Sequence, residues 1–362
     1  MIAMRMNYKG FTLIEMLVVI ALLAIIMFGL LNLLDTSSKI SVVETELADT
    51  QENVRFAAYH VMRTARMMGS SAMPFAGNSA GSDSWFAGEL VSNAVSTATT
   101  PFGTVAVARG SDVLTLRGFF EVAPFFVDRT AVGTTSITIE ESSGGVVINS
   151  NFDNVDHTTI EGRGIFLMGR MDQNQYAVGQ IASGSTKDPA TSAPDRQLVI
   201  NYGAGSAQWS GLNPSGTSVV GGVPFDVYRV GIMESYTYYV APDFTLQRMR
   251  ADASGATSEP VAVNIGSLQV ELCVDADADN QCSDLEWLSA PTVTQAAAGR
   301  IIYMRIVIFG RTGREVPDWV EPMSTFQTPT GATIADIDVD DLNRFAKWRR
   351  IEVSAALRNY LF

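Results

Sequence analysis

Residues 11–34 read FTLIEMLVVIALLAIIMFGLLNLL, and this apolar stretch decides the fold of the first part of the chain. Glu15 is the only ionisable side chain within it. At a rise of about 1.5 Å per residue, an α-helix of this length would be roughly 36 Å long, which exceeds the ~30 Å hydrocarbon core of a bilayer. We therefore predict a transmembrane helix over 11–34.

The residues on either side of the stretch indicate its orientation in the membrane and whether it is a secretory signal peptide. Arg5 and Lys9 precede it, and positive charge favours keeping that end of a membrane helix in the cytoplasm. A secretory signal peptide or a simple anchor would have the same hydropathy, but a signal peptide ends in small residues, whereas Asn32-Leu33-Leu34-Asp35 ends this stretch. Glu15 also indicates a function, because an unpaired carboxylate in hydrocarbon costs about 2.5–3.5 kcal/mol.

The run Gly10-Phe11-Thr12-Leu13-Ile14-Glu15, preceded by a short basic leader, resembles the processing motif of type IV prepilins. The resemblance implies that prepilin peptidase cleaves between Gly10 and Phe11, that residues 1–10 are the cleaved leader, and that Phe11 is then N-methylated. The apolar helix would stay on the mature chain. In a filament, Glu15 of one subunit would neutralise the terminal amine of a neighbour and set the assembly register. Snorkelling of Glu15 to the lipid headgroups is the alternative.

The N-terminal helix is predicted to extend over 11–69. Apolar residues recur there at steps of three, four and seven, which is the pattern of an amphipathic helix. They are Ile40, Val43, Leu47, Val54, Ala58, Val61, Ala65 and Met68. Gly69-Ser70-Ser71 and Pro74 end the helix. We expect the stripe to pack under a sheet, with His60 in a packing or surface role.

Residues 70–362 are predicted to form a β-rich head. Strand candidates are rich in β-branched and aromatic residues or alternate in polarity. They are 104–109, 112–118, 136–140, 165–168, 197–202, 236–241, 245–250, 266–274, 301–309 and 351–357. The longest loops are expected near 70–103, 183–196 and 205–224. The predicted fold class is α+β: a long N-terminal helix packed on a large, mostly antiparallel β head, as in pilins.

Three stretches of the C-terminal half resemble the PilW family of minor pilins. They are the hairpin formed by 236–241 and 245–248, the run from 261 to 272, and the last strand around 349–353. The resemblance implies a structural minor pilin that takes part in initiating pilus assembly, at or near the tip. Its partners would be other minor pilins and the major pilin, bound through the N-terminal helix, and the assembly platform. The chain would be a single-pass inner-membrane protein with its head in the periplasm, and later part of the pilus at the cell surface.

Two other functions remain open from the sequence. One is a J-like minor pseudopilin of type II secretion, and the other is a tip adhesin or DNA-uptake subunit using residues 75–225. Direct nucleic-acid binding is not expected, because 38 acidic residues against 25 basic ones give a net charge of −13. No HExxH or strand-linked GxGxxG motif occurs, so we expect a protein that is not an enzyme.

An acidic stretch near the end of the chain has the ligand spacing of a calcium-binding loop. Six oxygen-bearing residues occupy relative positions 1, 3, 5, 7, 9 and 12. They are Asp275, Asp277, Asp279, Gln281, Ser283 and Glu286. Position 6 is Asn280 in place of the usual glycine, and the flanks are predicted strands, so an EF-hand domain is not implied. A candidate Ca²⁺ site is one interpretation, and a solvated acidic turn is the other.

Cys273 and Cys282 bracket this acidic stretch and are the only cysteines of the chain. A head outside the cytoplasm would be in an environment where disulfides persist. We therefore expect a disulfide between them that limits the entropy lost when the loop binds an ion. Two free buried thiols are the alternative.

Overall fold

The computed structural model describes fourteen segments of the chain, with gaps between them. They are residues 12–69, 88–130, 136–138, 142–143, 146–147, 160–170, 175–182, 197–201, 225–252, 255–283, 285–289, 300–316, 319–326 and 344–357. Gly10 and Phe11, the residues of the predicted cleavage site, lie outside them. The chain divides into two compact units, Met1–Asp49 and Thr50–Phe362.

A single helix, α1, spans Leu13–Met67 and belongs to both units. From Leu13 to Leu34 its large apolar side chains are exposed, as shown by Leu13 at 84%, Ile25 at 69% and Phe28 at 69%. Among the described residues, α1 is the one helix long and apolar enough to cross a membrane. The sequence feature behind both observations is the uninterrupted apolar run that ends at Leu34.

Most of the other described residues form strands. The strands are β1 (Gly88–Ala94), β2 (Thr97–Thr100), β3 (Gly103–Ala106), β4 (Ser111–Gly118), β5 (Phe125–Thr130), β6 (Ser136–Thr138), β7 (Ser142–Ser143), β8 (Val146–Val147), β9 (Gly164–Met168), β10 (Tyr176–Ile181), β11 (Gln197–Asn201), β12 (Val227–Val240), β13 (Leu246–Asp252), β14 (Gly255–Ala262), β15 (Ile265–Asp275), β16 (Trp287–Leu288), β17 (Arg300–Arg311) and β18 (Trp348–Ala356). A 3₁₀ turn spans Met323–Phe326.

Counted over the described residues, ten strands form one sheet and four form another. The larger has the order β1-β4-β12-β9-β10-β11-β6, with β5, β13 and β14 attached to its side, and the smaller has the order β16-β15-β17-β18. The pairs β2-β3 and β7-β8 are separate hairpins, and every described pair in both sheets is antiparallel. The α+β class with a mostly antiparallel head is therefore confirmed.

The 14-residue strand β12 organises the larger sheet. Its C-terminal half pairs with β4 and β13, and its N-terminal half pairs with β9 and β5. Glu234 lies at the change of partner, opposite Gly118 of β4 and one residue beyond Met233, which faces Gly164 of β9. Each half covers its own apolar core.

The main core lies between the second unit's part of α1 and residues of both sheets. Five residues on one face of the helix, and Met68 directly after its end, are at most 2% exposed. They are Val54, Ala57, Ala58, Val61, Ala65 and Met68. Gly310 of β17 allows this close approach, because a Cβ there would lie 2.1 Å from Val54 Cγ2. Ala57, Ala58 and Ala65 have small side chains and therefore allow the same close approach from the helix side.

One loop prediction is wrong in part. The sequence predicts a loop over residues 88–100, but they form β1 and β2, the first strand of the β2–β3 hairpin. Small and polar residues dominate β1, GELVSNA, so that strand lacks the β-branched and aromatic enrichment that marks a strand in sequence. It is instead stabilised by pairing, as in Leu90 opposite Leu114 of β4.

Candidate functional site

The first turn of α1 is closed by Thr12 and Glu15. The backbone N–H and the hydroxyl of Thr12 both donate to Glu15 Oε2 at 2.8 Å, and Glu15 N–H donates back to Thr12 Oγ1 at 3.3 Å. This reciprocal arrangement is a capping box, which satisfies amide groups that have no partner inside the helix. Glu15, the residue predicted to set the assembly register, therefore also fixes the start of its own helix. Both hydrogen bonds that Thr12 donates to Glu15 use the same carboxylate oxygen, Oε2.

Polar contacts seat the second unit's part of α1 on its sheet. Tyr238 of β12 places its hydroxyl 2.9 Å from Thr64 Oγ1 and 3.1 Å from His60 Nδ1. Burial, followed by the positive charge of Arg248, lowers the pKa of His60. The sequence prediction assigned His60 to a packing or surface role, and its bond to Tyr238 is a contact of the packing kind.

The acidic loop, residues 275–286, leaves the end of β15 and leads into β16. Its backbone is turned by carboxylates that accept N–H donors: Asp275 accepts from Asp279 at 3.1 Å and from Asn280 at 3.2 Å. Glu286 accepts from Ala276 at 3.1 Å and from Ser283 at 2.8 Å. These bonds, Ser283's first, lower the pKa of Glu286. Asn280 has a φ of 61°, so asparagine adopts the left-handed conformation usually taken there by glycine.

Three of the six predicted calcium ligands converge in this loop. One carboxylate oxygen from each of Asp275, Asp277 and Glu286 lies within 4.8 Å of the other two. Ligands on opposite sides of one Ca²⁺ are about 5 Å apart, twice a typical Ca–O distance, so this spacing fits a shared ion. Asp279 is not part of the group, and its Oδ1 accepts from Gln281 N–H at 2.7 Å.

The predicted disulfide is present in the structure. Cys273 of β15 is bonded to Cys282 across nine residues, with the Cα atoms 6.0 Å apart. The bridge joins the strand that leads into the loop to the loop itself, and Val274 N–H donates to Glu286 O at 3.0 Å. The carboxylates of Asp275 and Glu286 are thus held near each other by covalent and backbone links. Such a loop has little conformational freedom to lose on binding.

A buried ionic cluster lies where β12 changes partners, and the sequence prediction missed it. Arg163 donates to Glu234 Oε1 at 3.0 Å and to Glu121 Oε2 at 3.1 Å, while the N–H groups of Phe120 and Glu121 donate to Glu234 Oε2. Burial, followed by the neighbouring Glu121 carboxylate, raises the pKa of Glu234 to about 8. An acidic residue inside a long buried strand was the available signal, since Glu and Arg are seldom fully buried unless paired.

Comparison with known proteins gives one local match and one distant structural neighbour. Residues 5–31 match the family model described as the prokaryotic N-terminal methylation motif, so the chain is type IV prepilin-like at its N-terminus. A type IV-like pilin from Thermus thermophilus is 10% identical and has a TM-score of 0.22, covering 56% of this chain and 90% of its own. A TM-score this low carries no argument about the fold, so the fold assignment rests on the structure of this chain alone. A search of curated proteins found no match.

Proposed function

We propose that this chain is a minor pilin, a structural subunit of a type IV pilus that takes part in initiating assembly and lies at or near the tip. The observation that carries the proposal is the methylation motif over residues 5–31, which runs directly into a helix whose apolar side chains are exposed. Prepilin peptidase would cleave between Gly10 and Phe11 and methylate Phe11. The helix would first hold the chain in the inner membrane with its head in the periplasm.

Assembly would then transfer the exposed part of the helix from lipid to the helices of neighbouring subunits. Large side chains such as Ile20 at 64%, Leu31 at 61% and Leu34 at 61% exposure remain largely uncovered in the described part of this chain. Other minor pilins and the major pilin are the partners that would bury them, on an assembly platform in the same membrane. The size of the head, which follows a helix of pilin type, and the PilW-like hairpin of β12 and β13 support a minor over a major pilin.

Glu15 supplies the register in this proposal. Thr12 occupies only Oε2 of its carboxylate, and we assign Oε1 to the terminal amine of a neighbouring subunit. In an apolar bundle, both charges would be costly if they were unpaired, so only the stagger that brings them together is favoured. The capping box places the carboxylate at a fixed position on the first turn, which makes it suitable for this task.

The experiment is a deletion strain complemented with four versions of the full chain and scored for pili and for type II secretion. Wild type and Glu44→Ala, which removes an exposed carboxylate further along the helix, should restore pili. Gly10→Ala should block processing, and Glu15→Ala should be processed but should not assemble. Normal assembly by Glu15→Ala would overturn the register, and loss of secretion with intact pili would identify a pseudopilin instead.

We also infer that the acidic loop binds Ca²⁺ and that the ion stabilises this end of the smaller sheet. Asp275, Asp277 and Glu286 would hold it, because their oxygens converge and carboxylates are the ligands that calcium prefers. Asp275 is 2% exposed, so its charge is largely removed from water and would gain from a cation beside it. Gln281 and Ser283 are the predicted neutral ligands. Asp279 is outside the converging group and would bind the ion only if the loop moved.

Calorimetric titration of the full chain in detergent tests this inference. We expect heat of binding and a higher unfolding temperature with Ca²⁺ for the wild type, and neither for Asp277→Asn or Glu286→Gln. Asp226→Asn, an exposed carboxylate outside the loop, is the matched control and should bind as the wild type does. Absence of any calcium-dependent heat in the wild type would show that the loop is only a solvated acidic turn.

A further inference from the structure

An apolar cleft flanked by two arginines lies on the head, away from the acidic loop. Its volume is about 360 Å³, and Val95, Phe244 and Trp348 are among its apolar lining residues, with Arg109 and Arg311 among the polar ones. Val95 is 67% exposed although it is a large aliphatic residue. The cleft is therefore large enough for an aliphatic side chain and is placed to attract negative charge.

Phe244 and Arg311 form one wall of the cleft and contact each other. Phe244 lies in the turn between β12 and β13 with a φ of 62°, a conformation that a bulky residue adopts at a cost. The Arg311 guanidinium carbon lies 4.2 Å from the centre of its ring. The ring orients the cation at the mouth of the cleft, and strained positions of this kind concentrate at binding sites.

The acidic loop offers the complementary shape and charge. Residues 275–286 contain five carboxylates and no lysine or arginine. Leu285, between two of those acidic positions, is 91% exposed, the highest exposure among the large apolar side chains of the described residues. An exposed leucine in a negatively charged loop matches an apolar cleft that has arginines among its lining residues.

The topology places the two features at opposite ends of the same pair of strands. Gly266, near the start of β15, and Arg311, at the end of β17, line the cleft. The loop leaves Asp275 at the other end of β15, which faces Arg300 at the start of β17. Nine residues of strand separate them by roughly 30 Å, so one head cannot fill its own cleft with its own loop.

We propose that the acidic loop of one copy of this chain inserts Leu285 into the arginine-flanked cleft of a second copy, giving a head-to-tail contact between heads. The surfaces that meet are different on the two copies, so the contact is heterologous and leaves one cleft and one loop open for further copies. Arg109 and Arg311 would face the loop carboxylates, and the contact should weaken with salt, as rim electrostatics do. This inference concerns the heads and does not rest on the pilin assignment.

Site-directed crosslinking of the full chain in its own membrane tests the contact. Two differently tagged versions are co-expressed, one with Leu285→Cys and the other with Ser96→Cys, which places a thiol on the exposed cleft rim. The native cysteines already form a disulfide, and the parent chain without added cysteine measures any exchange. We expect mixed dimers under mild oxidation for this pair. The matched control replaces Ser96→Cys with Thr257→Cys, an exposed position on β14, and should give none.

Charge reversal separates docking from misfolding. Arg109 is exposed, so Arg109→Glu in the Ser96→Cys chain should leave the head folded and lower the yield of mixed dimers about tenfold. Asp279→Arg in the partner chain should restore part of that yield, which a folding defect would not allow. Equal crosslinking in the Thr257→Cys control, absence of crosslinking at Ser96→Cys, or insensitivity to both charge changes would overturn the proposal.

Discussion

Two parts of one helix contain similar apolar residues in opposite environments. From Leu13 to Leu34 the large side chains are exposed, whereas Val54 and Val61 have no exposed surface. Alanine and valine at the second part's buried positions fit against a sheet, while leucine and isoleucine surround the first part on all sides. A helix that is apolar all round must be buried by something, and the described residues of this chain do not bury the first part.

The difference indicates separate tasks for the two parts. Residues 50–67 belong to the head's core and contribute to its stability, and in the proposed function residues 13–34 hold the chain in the membrane and associate with partners. A change in one part should therefore leave the other part's task intact. The predictions below test that separation.

The largest effect is expected from a charge in the buried part. Val61→Asp places a carboxylate in the main core with no partner, which should lower the free energy of unfolding by roughly 3–5 kcal/mol. Ile40→Asp, at a position 57% exposed, should change it by no more than about 0.5 kcal/mol. Thermal unfolding of the detergent-solubilised chains measures both, and equal destabilisation would contradict the separation.

A charge in the exposed part should act on the membrane and not on the head. Ile20→Asp adds a second carboxylate near the middle of the apolar stretch and should cost about 2.5–3.5 kcal/mol of insertion free energy. Fractionation should find part of this chain outside the membrane, with a head as resistant to protease as that of the wild type. Ile20→Leu is the control and should remain in the membrane. A head that became protease-sensitive would link the two parts.

The fit between the helix and β17 can be disturbed by one methyl group. Gly310→Ala should push Val54 and Thr50 away from the strand and destabilise the head by about 1–3 kcal/mol. Gly313→Ala is the matched control, because the nearest atom to its Cβ would be Asn264 Oδ1 at 3.6 Å, an ordinary contact. Chemical denaturation measures the free energy of unfolding of both variants, and an equal loss in the two would contradict this explanation. Adding Val54→Ala to Gly310→Ala should recover part of the loss, since the two residues share one space.

The smallest effect is a pH dependence at His60. Its pKa is lowered in the folded head, by burial first and then by Arg248, with Arg63 acting in the same direction and Glu259 opposing it. The unfolded chain therefore takes up the proton first, and stability should fall as the pH drops below about 6.5 towards the folded pKa. The loss should be under ~1 kcal/mol, because the half-buried ring is screened by solvent. Unfolding curves at several pH values should show it, and His60→Gln should remove it.

The helix could be predicted from sequence because its signals are local. Hydropathy over 11–34, the apolar stripe to Met68 and the glycine after it are each contained in a few turns of chain. The β12–β13 hairpin was predicted for the same reason. The first half of β12 was missed, since Gly231 and Glu234 interrupt its apolar pattern. Gly231 leaves room for the Phe119 ring and Glu234 pairs with Arg163, and both contacts join residues far apart in the sequence.

The candidate sites divide in the same way. Spacing alone identified Asp275, Asp277 and Glu286, because one short loop brings them together. It also included Asp279, which is not among the converging carboxylates and whose Oδ1 accepts from Gln281 N–H. The arginine-flanked cleft draws residues from the segments around Val95, Arg109, Phe244 and Arg311, and no sequence pattern joins these. The buried pair of Arg163 and Glu234 likewise depends on strand order.

The central claim is that the N-terminal helix is that of a processed prepilin, and the mass of the mature N-terminus tests it most directly. The chain is purified from the membrane of its own host, digested, and its N-terminal peptide measured by mass spectrometry. The prediction is a peptide that begins at Phe11 and carries one added methyl group, and that is lost with Gly10→Ala. A chain that keeps Met1, or one that begins beyond Leu34 after removal of the whole apolar stretch, would contradict the claim.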